Sequence, residues 1–252
     1  ASMVSLIEPK QGLATTDNNQ FIRLWHEVPF NNISFEIKSI IEATNYPIKW
    51  VPYNKGGSRR QWYGNYDYVV DWSNNGQAIK DNVMRKYSYL KTPDFVVKNT
   101  SYYFKESITW SLITSGGFSI RYREPGSIHD VSGMSAFSNN HKRLLYILGL
   151  MGTPISNYIF KMLNPTINLQ VGDFKNFPVL VEKEHENEVI ELVNKCIKLS
   201  KLDWDMHETS WDFLVSPLLT NKVDGQVQTA YESYKTEVNE RFKKLKENEE
   251  EL

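Results

Sequence analysis

The sequence predicts an α+β fold: a mixed, sheet-rich body flanked by helices and followed by a C-terminal helical segment. Three observations carry that expectation. Short aromatic and β-branched runs, broken by Gly, Pro and Asn, fill most of residues 20–131. From His141 the apolar residues take helical spacing. Beyond His185 the texture becomes amphipathic and acidic. At 252 residues, 40% hydrophobic and 23% charged, the chain is long enough for one large domain or a domain with an appendage. The expected division is a body over residues 1–181 and a helical spacer or extension over 182–252.

The elements follow in chain order. A polar opening, Thr15-Thr16-Asp17-Asn18-Asn19, leads into Phe21 to Trp25, whose alternation suits a strand contacted on both faces. Residues 34–42 have spacing compatible with a short helix. Tyr46 to Tyr53 holds two prolines and reads as an edge strand. Asn54-Lys55-Gly56-Gly57-Ser58-Arg59-Arg60 is a turn-forming cluster carrying three cations. Asp67 to Trp72 is a strand ended by Asn74-Asn75-Gly76, and Ala78 to Leu90 is helical with Ile79, Val83 and Tyr87 on one face. Tyr102 to Ile113 and Phe118 to Tyr122 pair as strands across a hairpin connection, Ser115-Gly116-Gly117, and Ser127 to Val131 continues the sheet.

His141 to Leu150 is an apolar helix, after which Thr153 caps a second helix with Pro154 at its first position. That helix stops before Asn164-Pro165. Asn168 to Val171 reads as a short strand. Glu188 to Leu199 is an amphipathic helix, Trp204 to Leu219 is irregular, and residues 226–250 form a long solvated helix with a narrow apolar seam.

Net charge is −1, so no global excess advertises a nucleic-acid or membrane partner. The longest apolar run, Leu144 to Met151, is far short of the roughly 20 residues that span a bilayer. The opening Ala1-Ser2-Met3 has no signal-peptide pattern and reads as an artificial lead into a fragment. A single cysteine, Cys196, excludes a disulfide framework and fits a reducing cytoplasm. The five histidines lack metal-pair spacing, and no phosphate-binding Gly-rich loop or Gly-x-Ser-x-Gly elbow is present. Asn164-Pro165-Thr166-Ile167 begins like the tetrad that holds a flipped adenine but lacks the second proline and the aromatic, so it reads as a helix stop. No catalytic residue and no bound cofactor are therefore expected in this chain.

The average charge hides an asymmetry. Residues 46–123 carry 12 Lys/Arg against 5 Asp/Glu and 17 of the 33 aromatics, whereas residues 182–252 carry 10 against 17. Basic residues interleaved with Asn and Gln suit duplex DNA, since Lys and Arg neutralise phosphates and Arg, Asn and Gln pair with base edges. A solvated basic face over a Tyr/Trp core fits the same composition. Trp50, Trp62, Trp72 and Trp110 are expected in the core.

An ordered series of segments separates these readings. It begins with Gly12-Leu13-Ala14-Thr15-Thr16-Asp17-Asn18-Asn19-Gln20-Phe21, then Lys49-Trp50-Val51-Pro52-Tyr53-Asn54-Lys55-Gly56-Gly57, Trp62-Tyr63-Gly64 and Val69-Val70-Asp71-Trp72. It continues with Tyr103-Phe104-Lys105-Glu106-Ser107-Ile108-Thr109-Trp110, Tyr146-Ile147-Leu148-Gly149, Leu163 to Asp173, Asn176-Phe177-Pro178 and Glu208 to Phe213. Over about residues 11–220 the chain resembles the target recognition domain of the PglX family, adenine-specific DNA methyltransferases of BREX phage-exclusion systems. More distantly it resembles type IIG restriction-modification enzymes and type I specificity subunits. Such enzymes are several times longer, with the catalytic half upstream.

The resemblance implies sequence-specific recognition of double-stranded DNA, without methyl transfer by this fragment, in antiviral defence. The longer enzyme would use S-adenosylmethionine and flip an adenine into its catalytic domain. It implies DNA contacts at Thr15, Asn18 and Asn19 in the opening motif, and at Asn54, Lys55, Gly56, Gly57, Arg59 and Arg60 in the basic loop. Asn168 and Gln170 stand at the closing motif, where a role in closing the sheet fits equally. Lys105, Arg121 and Arg123 are candidates by charge alone. The implied partners are DNA, the upstream methyltransferase domain and other defence-system proteins. A protein-interaction module docking such components is the competing function.

Overall fold

The computed structural model describes residues 2–113, 116–222 and 225–252. In chain order, β1 (Glu8–Lys10) precedes α1 (Asn18–Phe21) and β2 (Ile22–Leu24), then α2 (Ile40–Asn45), β3 (Trp50–Asn54) and β4 (Tyr68–Asp71). Helix α3 (Ser73–Lys86) follows, then β5 (Ser107–Ser111), β6 (Ile120–Arg123), β7 (Ile128–His129) and β8 (Gly133–Phe137). The remainder is helical: α4 (His141–Gly152), α5 (Pro154–Leu163), α6 (Val171–Lys175), α7 (Glu186–Asp205), α8 (Pro217–Thr220) and α9 (Val227–Glu251).

Among the described residues the strands make two four-stranded sheets. One has the order β1-β8-β5-β6 and is antiparallel throughout; the other, β2-β4-β3-β7, is mixed because β7 runs parallel to β3. This is the expected α+β class with a helical C-terminal segment. The first sheet packs Ile108, Trp110, Ile120 and Met134 against Leu144 and Leu148 of α4, Phe174 of α6, and Val193 and Cys196 of α7. The second packs Val51, Tyr53 and Val70 against Ile79 and Val83 of α3, with Trp72 and Phe104 closing the layer. Trp62, Trp72 and Trp110 are fully buried and Trp50 nearly so, which is the core role expected for them.

Local chemistry sets the helix ends. Asp17 accepts from the Gln20 N–H at 3.1 Å, Ser39 from Glu42 at 3.2 Å and Asn140 from Arg143 at 3.2 Å, satisfying first-turn donors of α1, α2 and α4. Asn74, Asn75 and Gly76 take left-handed φ values of +50°, +60° and +69°, so regular helix in α3 begins after them, where the sequence placed it. Pro154 opens α5, and the helix ends at Leu163, ahead of Asn164-Pro165. Helix α9 buries only Ala230 and lies along α7. No helix among the described residues is long and apolar enough to cross a membrane.

Several expectations are corrected. The strand ending at Tyr53 is not an edge: β3 lies between β4 and β7. Pro52 is tolerated because β7 reaches only Tyr53 and Asn54, so no neighbour on that side needs its missing N–H. The strand at Asn168 to Val171 reduces to one bridge between Asn168 and Ile113, because the Asp173 carboxylate takes the Gln170 N–H at 2.7 Å and starts α6. Phe21 belongs to α1, and the helix expected over 34–42 begins only at Ile40. The β5–β6 pairing is present as a hairpin; Ser115 of its connection lies outside the described residues.

Candidate nucleic-acid interface

The opening motif is clamped where the two sheets meet. Leu13 donates its N–H to the His129 carbonyl at 2.8 Å and accepts from Val131 at 3.1 Å, and the Tyr53 hydroxyl oxygen packs 3.0 Å from the Leu13 carbonyl while its proton goes to Asp130. A Cβ on Gly12 would lie 1.8 Å from the His129 oxygen, so only glycine allows this approach. Thr15 is buried, and its hydroxyl donates to Asn18 Oδ1 at 2.7 Å. Thr16 is held from α3: Asn82 donates to its hydroxyl at 2.9 Å and Lys86 Nζ to its carbonyl at 2.9 Å. The motif thus fixes the exposed Asn18 and Asn19 at the start of α1.

Asn18, Asn19, Arg23 and Lys55 line one cleft of about 340 Å³, with Glu27 and Tyr68 completing the wall. Arg23 donates through Nη1 to the carbonyls of Asn19 and Ile22, both at 2.6 Å, and its guanidinium lies 6.0 Å from the Trp50 ring centre. The Lys49 ammonium approaches the same ring at 5.8 Å. Lys55 Nζ lies 4.0 Å from Asp130 Oδ2, a carboxylate that also accepts from the Tyr53 hydroxyl and the Ser132 N–H. Asp130 positions Lys55 at the cleft while the ammonium side chain stays 26% exposed.

The basic loop divides its residues between three surroundings. Asn54 is buried and donates to Thr109 Oγ1 at 2.6 Å and Ser135 Oγ at 3.3 Å, joining the two sheets rather than facing solvent. Gly56 is buried with φ of +82°, and its missing Cβ leaves room for the Ser132 carbonyl. Gly57 is exposed with φ of +123°. Arg59 is exposed and lines a different cavity from Lys55. Arg60 turns toward the acidic segment, with Nη1 3.5 Å from Asp203 Oδ2 and its guanidinium 4.8 Å from the Trp204 ring centre.

Arg121 and Arg123, expected as DNA contacts on charge, are buried, and this placement corrects that expectation. Arg123 lies 3.6 Å from the Tyr66 ring centre and donates to Ser127 Oγ at 2.8 Å and the Asn65 carbonyl at 3.2 Å. Arg121 donates to the Arg60 carbonyl at 3.2 Å and Ser111 Oγ at 3.4 Å. Burial, with Arg123 beside it, pushes the Arg121 pKa down to about 10. Arg121 braces the loop from behind, and Arg123 holds Asn65, whose side-chain amide donates to the Ser58 carbonyl at 2.9 Å. Lys105 is exposed but lines a separate cavity with Glu8, Lys38 and Glu106. Asn168 and Gln170 are exposed at the α6 start, where the Asn168 carbonyl accepts from Asn164 at 2.7 Å.

The structure therefore gathers Asn18, Asn19 and Lys55, holds Thr15 and Asn54 beneath them, and separates the other candidates. It adds Arg23 to the cleft, while Lys49 packs near the Trp50 ring and Lys86 holds the Thr16 carbonyl. Lys49 and Lys86 lay inside the basic block and were legible there; Arg23 lay outside it, marked only by its place four residues after Asn19. No group of three His, Cys, Asp or Glu able to hold a metal occurs among the described residues.

Set beside known proteins, the chain is similar to a segment of adenine-specific methyltransferases. It is 38% identical to the adenine-specific methyltransferase PglX of Lacticaseibacillus casei over 98% of this chain, and 34% identical to the adenine-specific methyltransferase BrxX of Escherichia coli O9:H4 over 89% of it. The chain spans only about a fifth of the length of these relatives, 20% and 17% respectively. No protein-family model matches the chain. A solved structure of the type IIG restriction endonuclease BpuSI aligns with 98% of this chain and 32% of that one at 11% identity and a TM-score of 0.46, a likeness too remote to carry a conclusion.

Proposed function

We propose that this chain is the part of a PglX-type adenine-specific DNA methyltransferase that recognises its duplex target, in bacterial phage defence. The observation carrying the proposal is the convergence of Asn18, Asn19, Arg23 and Lys55 on one cleft, held by the clamped motif beginning at Gly12. Asparagine amides suit the adenine edge, and arginine and lysine suit guanine or a phosphate. The similarity to PglX and BrxX over most of the chain supports the same reading. Residues 1–181 form the recognition body and 182–252 a spacer against neighbouring protein. The longer enzyme binds S-adenosylmethionine and transfers the methyl group elsewhere. Among the described residues, the cavity at Gly116 is lined by Arg59 and serines and by no acidic side chain of the kind that holds a ribose, so no step of that transfer is placed on it.

The test is duplex binding by fluorescence anisotropy at about 50 and 200 mM salt, the range over which phosphate-dominated binding falls steeply. Wild type binds in a salt-dependent manner, and an Arg23→Glu/Lys55→Glu variant loses that binding while keeping its circular dichroism. Unchanged binding by the variant overturns the assignment of the cleft.

A second surface supports a contact with the rest of the longer protein or with another defence-system protein. On α5, Ile155, Tyr158 and Met162 share one face and are 63%, 76% and 73% exposed. An apolar stripe of this kind suits a protein partner better than water. Tyr158→Glu is expected to weaken such an interface in the full-length enzyme and to leave duplex binding by this chain unchanged.

A further inference from the structure

Beside the basic loop lies a second cavity, of about 250 Å³, lined by Gly57, Ser58, Arg59, Ser111, Ile113, Gly116 and Ser119. Its floor is polar and nearly closed: Ser111 is 9% and Ser119 5% exposed. The Ser111 hydroxyl donates to the Gly57 carbonyl at 3.0 Å and accepts from Arg121 Nη2 at 3.4 Å. Arg121 is wholly buried, and its Nε has no hydrogen-bond partner among the described residues. None of the ion pairs among the described residues includes Arg121 or Arg123. One guanidinium, that of Arg121, therefore stands directly behind the floor with no described carboxylate in ion-pair contact, and Asp67 acts on it only through space. Buried charge of that kind is normally paired. The rim carries another: the Arg59 side chain crosses Gly116, where a Cβ would lie 3.0 Å from Arg59 Cδ.

From this arrangement we infer that the cavity is a binding site for a phosphate group, taken from the nucleic-acid backbone. Arg59 closes over the anion and donates to it, Ser58 and Ser119 supply hydroxyl donors, and the Arg121 charge acts through Ser111. A phosphodiester on this floor adds negative charge on the Ser111 side of Arg121, where no described carboxylate makes an ion pair with it. The inference rests on the proposal that this chain binds duplex, and it divides the work around the loop. The cleft at Lys55 meets the groove, and the cavity at Arg59 fixes the strand's position whatever its sequence.

The test is a ¹⁵N–¹H NMR titration of the whole chain, first with inorganic phosphate and then with a short duplex, for wild type, Arg59→Ala and Ser119→Ala. Arg59 is exposed, so its variant retains the fold. The inference requires that phosphate move the amides of residues 57–59 and 116–119 in wild type, that either variant lose those shifts, and that duplex move the same amides. In anisotropy, Arg59→Ala lowers the salt slope by about one and weakens all duplexes alike. Phosphate shifts that duplex does not reproduce show an adventitious anion and overturn the inference. Duplex binding with an unchanged salt slope in Arg59→Ala overturns it while leaving the proposed function standing. Duplex binding by neither wild type nor variant removes the proposed function itself.

Discussion

Asn54 Nδ2 donates to Thr109 Oγ1 across 2.6 Å, and this bond ties the last residue of β3 to the middle of β5 in the other sheet. Further donation to Ser135 Oγ at 3.3 Å extends the tie to β8. The basic loop springs from this joint, so the direction in which Lys55 leaves the body is set by a buried amide. Removing one partner of a buried hydrogen bond leaves the other unsatisfied. Asn54→Ala is expected to cost about 1–3 kcal/mol in urea denaturation. At temperatures where it stays folded, it shifts duplex affinity only through the loop.

Gly12→Ala is expected to be among the most damaging single changes. Its Cβ would meet the His129 carbonyl at 1.8 Å, a backbone atom that cannot swing away. The strand-like pairing of Leu13 with residues 129–131 must then open, at a cost of about 2–4 kcal/mol. The thermal midpoint falls, and Asn18 and Asn19 lose their fixed place in the cleft.

His129 gives a pH signature. It is buried against Tyr103 and Phe137, and burial pushes its pKa down to about 3. The unfolded chain takes up that proton near pH ~6.5, whereas the folded chain refuses it until about pH 3. More protons are bound by the unfolded state throughout that window, so stability rises with pH across it. By about pH 5.5 the loss relative to neutral pH and above approaches 1.4 kcal/mol. Urea denaturation between about pH 8 and 5.5 should show this decline, and His129→Phe should flatten it.

Arg123 tests the correction to the charge-based reading. Its ring contact at 3.6 Å and its two donated hydrogen bonds are interior interactions. Arg123→Met is therefore expected to destabilise by about 3 kcal/mol. Measured where it remains folded, it should leave the salt slope of duplex binding unchanged. A drop of about one in that slope would return Arg123 to the DNA face.

Much of the fold was legible because its punctuation is chemical. Asn74-Asn75-Gly76 and Thr153-Pro154 announced their turns, and the run from His141 has only one way to bury its leucines. Strand β8, Gly133–Phe137, was missed because Gly-Met-Ser-Ala-Phe lacks β-branched residues; burial between β1 and β5 makes it a strand. Pro52 misled the edge assignment because its tolerance depends on how far β7 reaches. At the site, Asn18 and Asn19 of the opening motif and Lys55 of the basic loop line one cleft, a convergence of two segments distant in sequence that only the fold reveals. Residue charge alone misplaced Arg121 and Arg123, because a guanidinium over an aromatic ring and a guanidinium on a surface have the same sequence signature.

The proposed function places the duplex across the cleft at Asn18 and Lys55. Hydrogen–deuterium exchange with and without a bound duplex tests it most directly. New protection is expected over residues 15–24 and 54–60, the segments that build the cleft and its loop. Protection confined to α5 or to the acidic α7 and α9, with residues 15–24 and 54–60 exchanging as in the free protein, would contradict it.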